Sequence, residues 1–262
     1  MAPDLSHLIT EDDEPVDNRF SERQQRLLPH ILFTSWEEGR PFEALADVGL
    51  FPTATNEDKV VPDFLLSLGV TPRPVTGAKE NRSYLVWVYG KAPDLVIEVV
   101  SNKVGGELGE KLQKYTRIRV TYYAIYDPFC ELSERELRLF RLDGGRYVEM
   151  ANPRWLPEVG LGLTMWEGEF EGVHSRWLRF LDKEGRLLAT GEEKARSAEE
   201  KARSAEEVLE KSQRASVETV LEARFGRTPE ESVWARVESH RLAGLLGAAA
   251  TVSTFEEWLA LV

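Results

Sequence analysis

The stretch Pro93-Asp94-Leu95-Val96-Ile97-Glu98-Val99-Val100-Ser101 constrains this chain most. Apolar residues surround one carboxylate, Glu98. A run this short, this apolar and this β-branched predicts a central strand covered on both faces. An ionised carboxylate in such a place is costly unless a partner offsets it, and a metal ion is one such partner. Side chains alternate along a strand, so Asp94, Val96, Glu98 and Val100 share one face. Asp94 and Glu98 lie about 13 Å apart along that strand, too far to touch one ion. A second ligand beside Glu98 must come from elsewhere in the chain.

The 262 residues allow one mid-sized domain and an appendage. A single cysteine, Cys130, excludes an internal disulfide framework and suits a reducing compartment. No apolar run reaches the roughly 18 residues of a membrane span, and the N-terminal stretch is acidic, so a cytoplasmic protein without a membrane partner is expected. The net charge of −12 argues against non-specific nucleic-acid binding by the whole surface, though not against a local basic groove. His7, His30, His174 and His240 are scattered, with no metal-ligand spacing.

In chain order, residues 1–18 read as a mobile acidic leader. A helix is expected to start at Ser21, with Gln24 completing a capping box, and to stop at Gly39. Pro29 should kink it or mark its true start. Residues 45–55 and 58–68 read as strands joined by a turn at Asn56-Glu57-Asp58, with Asp63 at a strand start after Pro62. Ser83–Tyr89 reads as an extended piece. Residues 105–118 read as a helix with a buried stripe of Leu108, Leu112, Tyr115 and Ile118. Lys111 falls at the margin of that stripe, where its amine can reach back over the sheet. Tyr122–Asp127 is the next strand, and Asp143-Gly144-Gly145 signals a hairpin between 136–142 and 147–150. Short β pieces follow over 155–188.

Near 191 the composition changes. Glu192–Ala198 repeats verbatim as Glu199–Ala205. Ala195, Ala198, Ala202, Ala205 and Leu209 make a heptad stripe that predicts a coiled-coil helix over 191–225 and self-association, weak because the stripe is mostly alanine. Thr228-Pro229-Glu230-Glu231 predicts a capped helix through about Leu246, and Ser253-Thr254-Phe255 opens another, so 226–262 reads as a small helical tail.

Four blocks together carry a resemblance: Val61-Pro62-Asp63, the Pro93–Val99 strand, Gly106–Leu112 with Tyr115, and Tyr122–Pro128. In this order they resemble the Uma-type family of restriction endonuclease-like proteins, within the PD-(D/E)XK nuclease superfamily, over roughly residues 20 to 190. The resemblance implies an α/β fold with a mixed sheet and flanking helices, here a domain over 19–190. It also implies Mg²⁺ or Mn²⁺ as cofactor and DNA as substrate. Asp63 matches the superfamily's first acid and Glu98 its second. Val100 stands where the superfamily commonly has its lysine, and Lys111 on the following helix is the matching residue. The implied site is therefore Asp63, Glu98 and Lys111, with the metal held by Asp63, Glu98 and the backbone carbonyl of Val99. Glu22 or Gln25 on the first helix would orient water.

Set beside that reading are blander ones. Glu98 can be a core glutamate paired with a cation, Asp63 a turn residue, Asp94 a strand-entry residue and Lys111 a solvated lysine. On those readings the chain is a catalytically silent assembly module that oligomerises through its C-terminal helix.

Overall fold

The computed structural model describes residues 18–54, 58–75, 81–101, 106–151 and 155–262. The acidic leader and most of the turn expected at 56–58 lie outside them. The chain divides after Gly191 into two compact units.

The first unit is built on a sheet whose central strands are buried on both faces. In chain order it contains α1 (Arg19–Ser35), β1 (Phe42–Leu45), β2 (Leu50–Phe51), β3 (Phe64–Leu68), β4 (Tyr84–Leu85), α2 (Val86–Tyr89) and β5 (Leu95–Val99). A π-helical turn, Glu107–Lys111, runs into α3 (Leu112–Ile118). Then come β6 (Tyr122–Tyr126), β7 (Leu137–Asp143), β8 (Arg146–Glu149), β9 (Gly162–Phe170) and β10 (Val173–Leu181). The main sheet has the order β1-β3-β5-β6-β7-β8. β5 and β6 are parallel and the other pairs antiparallel, so the sheet is mixed, as expected. The β5–β6 crossover is the segment that carries α3, since parallel neighbours need a long connection.

Alternation along β5 sorts its side chains into two cores. Leu95, Ile97 and Val99 face α1 and the β9–β10 hairpin, where Leu28, Ile31, Trp177 and Phe180 pack. Val96 and Val100 face α3, among Tyr115, Ile118 and Tyr123. Glu98 shares this second face by parity and is fully buried.

Several local expectations are corrected. Asn18, not Ser21, caps α1: its side chain accepts from the Phe20 and Ser21 amides at 3.0 and 2.9 Å. Ser21 and Gln24 are instead buried within the helix, and Gln24 exchanges two hydrogen bonds with the Leu178 backbone of β10. Pro29 lies inside α1 without ending it, and the helix stops at Ser35 rather than at Gly39. The strands expected over 45–55 and 58–68 are shorter, because Leu50 and Val60 close only an isolated bridge. Val86–Tyr89 is a helical turn, ended by Gly90 at φ 77°. The β7–β8 hairpin is as expected, with Gly144 and Gly145 at φ 55° and 84°, the left-handed pair such a tight turn requires. β9 and β10 are nine residues each, longer than the short pieces expected.

The second unit is helical: α4 (Gly191–Phe225), α5 (Glu231–Trp234), α6 (Leu242–Thr251) and α7 (Phe255–Leu259). Its core gathers Val217, Leu221, Trp234, Leu245, Phe255 and Trp258, and the Trp258 indole donates to the Leu245 carbonyl at 3.0 Å. The helix predicted from Thr228 is not formed. α5 begins after Glu230 without a side-chain cap, and a 3₁₀ turn at Ser239–Arg241 separates it from α6. Thr254 and Glu257 do form a capping box at α7. Among the described residues no helix is long and apolar enough to cross a membrane.

Replacing Ile97 by alanine removes a fully buried side chain from the doubly covered strand. It should lower the unfolding free energy by about 3 kcal/mol in urea denaturation. Val148→Ala, at a half-exposed position on β8, should stay within about 0.5 kcal/mol of the parent.

Candidate active site

β3 and β5 bring the two predicted acids together. Their antiparallel register pairs Phe64 with Ile97, and one step further sets Asp63 opposite Glu98. Asp63 itself lies at a bend just before β3, so its side chain is placed by its own contacts and not by the ladder. Asp63 Oδ2 accepts from the Val99 backbone N–H at 2.5 Å, so the acid after Pro62 is tied to the strand that carries Glu98. Its Oδ1 accepts from the Gln25 amide of α1 at 2.7 Å. Of the two first-helix residues expected to orient water, Gln25 contacts Asp63, while Glu22 pairs with Arg26 on the surface at 2.5 Å.

Lys111, from the π-helical turn after β5, reaches Glu98. Its Nζ lies 3.0 Å from Glu98 Oε2 and 3.3 Å from Glu107 Oε1. The Tyr115 hydroxyl donates to Glu98 Oε1 at 2.5 Å. Each Glu98 oxygen therefore has one donor, and a carboxylate offers about four acceptor positions, so capacity remains. Burial raises the Glu98 pKa, and the Lys111 charge and the Tyr115 hydrogen bond oppose that rise without cancelling it. Burial also works against the Lys111 ammonium, but Glu98, Glu107 and Asp63 outweigh it and hold its pKa above the ordinary lysine value. Tyr115 is raised well above the usual phenol range by burial first and by Glu98 second.

Asp94 stands apart from this cluster. It accepts from the Leu68 amide at 2.8 Å and pairs with Lys91 at 2.6 Å, which is the strand-entry role read from its position.

Glu107 is the residue that the sequence reading missed. It opens the π-helical turn and is 4% exposed, whereas Leu108, expected in the buried stripe, is 38% exposed. The Lys111 amide reaches back to the Gly106 carbonyl at 3.1 Å, five residues earlier. This wider turn shifts the helix register, so an α-helical periodicity carried back from Tyr115 marks the wrong neighbour as buried. Glu107 Oε2 is buried and has no hydrogen-bond partner. As they stand, no three histidine, cysteine or acidic side chains among the described residues are arranged to hold an ion between them.

A family model described as "Putative restriction endonuclease", Uma2, matches residues 12–169, more than half of the chain. The chain belongs to the Uma2 family. The Uma2 match covers α1, the main sheet and α3, hence every residue of the cluster just described. Among solved structures, "a putative nuclease belonging to DUF820" from Anabaena variabilis is similar at 18% identity and a TM-score of 0.38, over 54% of this chain and 73% of that one. No curated protein matches the chain significantly.

Lys111→Met should show what the buried carboxylate depends on. With the amine gone, Glu98 holds its proton more tightly in the folded than in the unfolded chain. Stability then falls as pH rises from the ordinary glutamate range towards the raised folded value. The variant should lose about 2 kcal/mol at pH 8, much less at pH 5, and most of the loss should vanish in Glu98→Gln/Lys111→Met. Denaturant melts at the two pH values check this, and a pH-independent loss would contradict it.

Proposed function

We propose that this Uma2-family chain is a metal-dependent endonuclease that hydrolyses phosphodiester bonds of DNA. What supports the reading is Asp63 tied to the backbone amide of Val99, the residue after Glu98, with Lys111 from the adjoining helix on the Glu98 carboxylate. The residues fit a hard divalent cation. The donors are all oxygens, which favours Mg²⁺ or Mn²⁺ over softer-ligand metals, and a buried carboxylate oxygen without a partner lies beside them. Asp63, Glu98 and the Val99 carbonyl would hold the ion, which supplies Lewis acidity and lowers the pKa of water at the site.

The chain's own residues do the rest. Gln25 and the Val99 amide fix the Asp63 carboxylate, so little reorganisation is left for the reaction. Tyr115 orients Glu98 in the same way. The Lys111 amine, kept charged by its acidic neighbours, holds the attacking water or offsets charge that builds on the phosphate. The new bond joins the water oxygen to phosphorus as the bond to the leaving sugar oxygen breaks.

Cleavage of supercoiled, linear duplex and single-stranded DNA with Mn²⁺ tests the reading. Glu98→Ala, Asp63→Asn and Lys111→Met should each slow it at least 100-fold, of the order seen when one charge-stabilising group is removed. Equal rates in parent and Glu98→Ala would end it.

One observation favours a second reading. The four oxygens of Asp63 and Glu98 all have donors within the chain, as in a structural ion-pair network. On that reading the chain is a silent nuclease-fold assembly module. Self-association through α4 belongs to either reading, since every residue from 194 to 212 is exposed, Val208 at 68% and Leu209 at 58%. A chain ending at Gly191 should show fewer chains per particle (scattering mass divided by chain mass) than the full chain, while keeping the melting transition of the first unit. An unchanged number of chains per particle would count against association through the helix.

A further inference from the structure

Beyond its contact with Lys111 Glu107 has no assigned role, yet its position is closely determined. Gly106 enters the turn in a left-handed conformation, φ 70°, and the Glu107 carbonyl accepts from the Tyr123 hydroxyl at 3.0 Å. The i→i+5 turn then sets Glu107 beside Lys111, and Oε1 takes up one side of the amine whose other side meets Glu98. π-helical turns inside α-helices gather at functional sites. The second oxygen, Oε2, is buried and unpartnered, an arrangement that is costly unless something completes it. The three acids do not form a cage for one ion as they stand, so direct coordination is not what the geometry offers. An acceptor just beyond the ligands is.

Resting on the endonuclease reading above, we propose that Glu107 is a positioning carboxylate of the cation site. Oε1 holds Lys111 against Glu98, and Oε2 accepts a hydrogen bond from a water in the ion's hydration shell. A hard cation such as Mg²⁺ or Mn²⁺ keeps several of its waters when bound, and carboxylates that hold such outer groups govern affinity.

Calorimetric titration of the full chain with MnCl₂ tests this, alongside oxygen-17 relaxation of water in the Mn²⁺ complex. Glu107→Gln keeps the side chain's size and an acceptor for Lys111 but replaces the free oxygen by an amide donor. It should bind Mn²⁺ at least tenfold more weakly, with a shorter residence time for bound water, while Glu98→Gln binds none. If Glu107→Gln does not fold, Glu107→Asp, which draws the oxygen back by one methylene, should weaken binding at least threefold. Parent-like affinity and water residence in the Glu107 variant, with binding lost in Glu98→Gln, would overturn the role of Glu107 and leave the endonuclease reading standing. Absence of Mn²⁺ binding by the parent would overturn both.

Discussion

A carboxylate with no access to water, Glu98, is the constraint on which the rest of this structure turns. It sits in the middle of a strand covered on both faces, where an uncompensated charge would cost more than the strand's own packing contributes. Two groups from the following helix answer it: the Lys111 amine on one oxygen and the Tyr115 hydroxyl on the other. The β5–α3–β6 crossover thus does two jobs. It connects parallel strands and delivers the counter-charge. Because that compensation comes from neighbouring turns of one helix, the helix's register over the sheet decides whether the strand can be buried at all.

The register is not that of a simple α-helix. The π-helical turn at Glu107–Lys111 stacks a second carboxylate over the amine, and this makes the lysine a shared cation between two acids. Asp63, from the other side of β5, adds a third negative group close enough to raise the Lys111 pKa. One ammonium serves several carboxyl groups in a low-dielectric place, and a divalent ion would add positive charge beside them, which is the electrostatic sense of the proposed chemistry. The overall charge of −12 says nothing about this spot, because a buried cluster is set by neighbours within a few ångströms and not by the solvated surface.

The two units show opposite relations between sequence pattern and packing. In the first, a continuous apolar run marks a strand covered on both faces. In the second, the most regular pattern in the chain, the verbatim heptad, lies where α4 is almost wholly exposed, and the buried side chains of α4, Val217 and Leu221, lie near its C-terminal end. Regular periodicity there does not mark an intramolecular core. The unit's own core is assembled instead from less patterned residues, with Trp234 and Trp258 meeting edge to face at 5.9 Å.

Alternation and turn chemistry act locally, so the chain alone determined the β5 and β6 strands, the Gly144-Gly145 hairpin, the long helix from 191 and the placement of Lys111 at the edge of a packed face. The family blocks added which acids to pair. What only the tertiary structure decided are the contacts made across the chain. Asn18 caps α1 in place of Ser21, and Gln24 is engaged by the distant β10 backbone. Gln25 rather than Glu22 met Asp63. Most of all, Glu107 replaced Leu108 in the buried position. A 3.6-residue period assumes an unbroken α-helix, and the departure from it is stabilised by long-range partners, the Tyr123 hydroxyl and the Lys111 amine, that no local window contains.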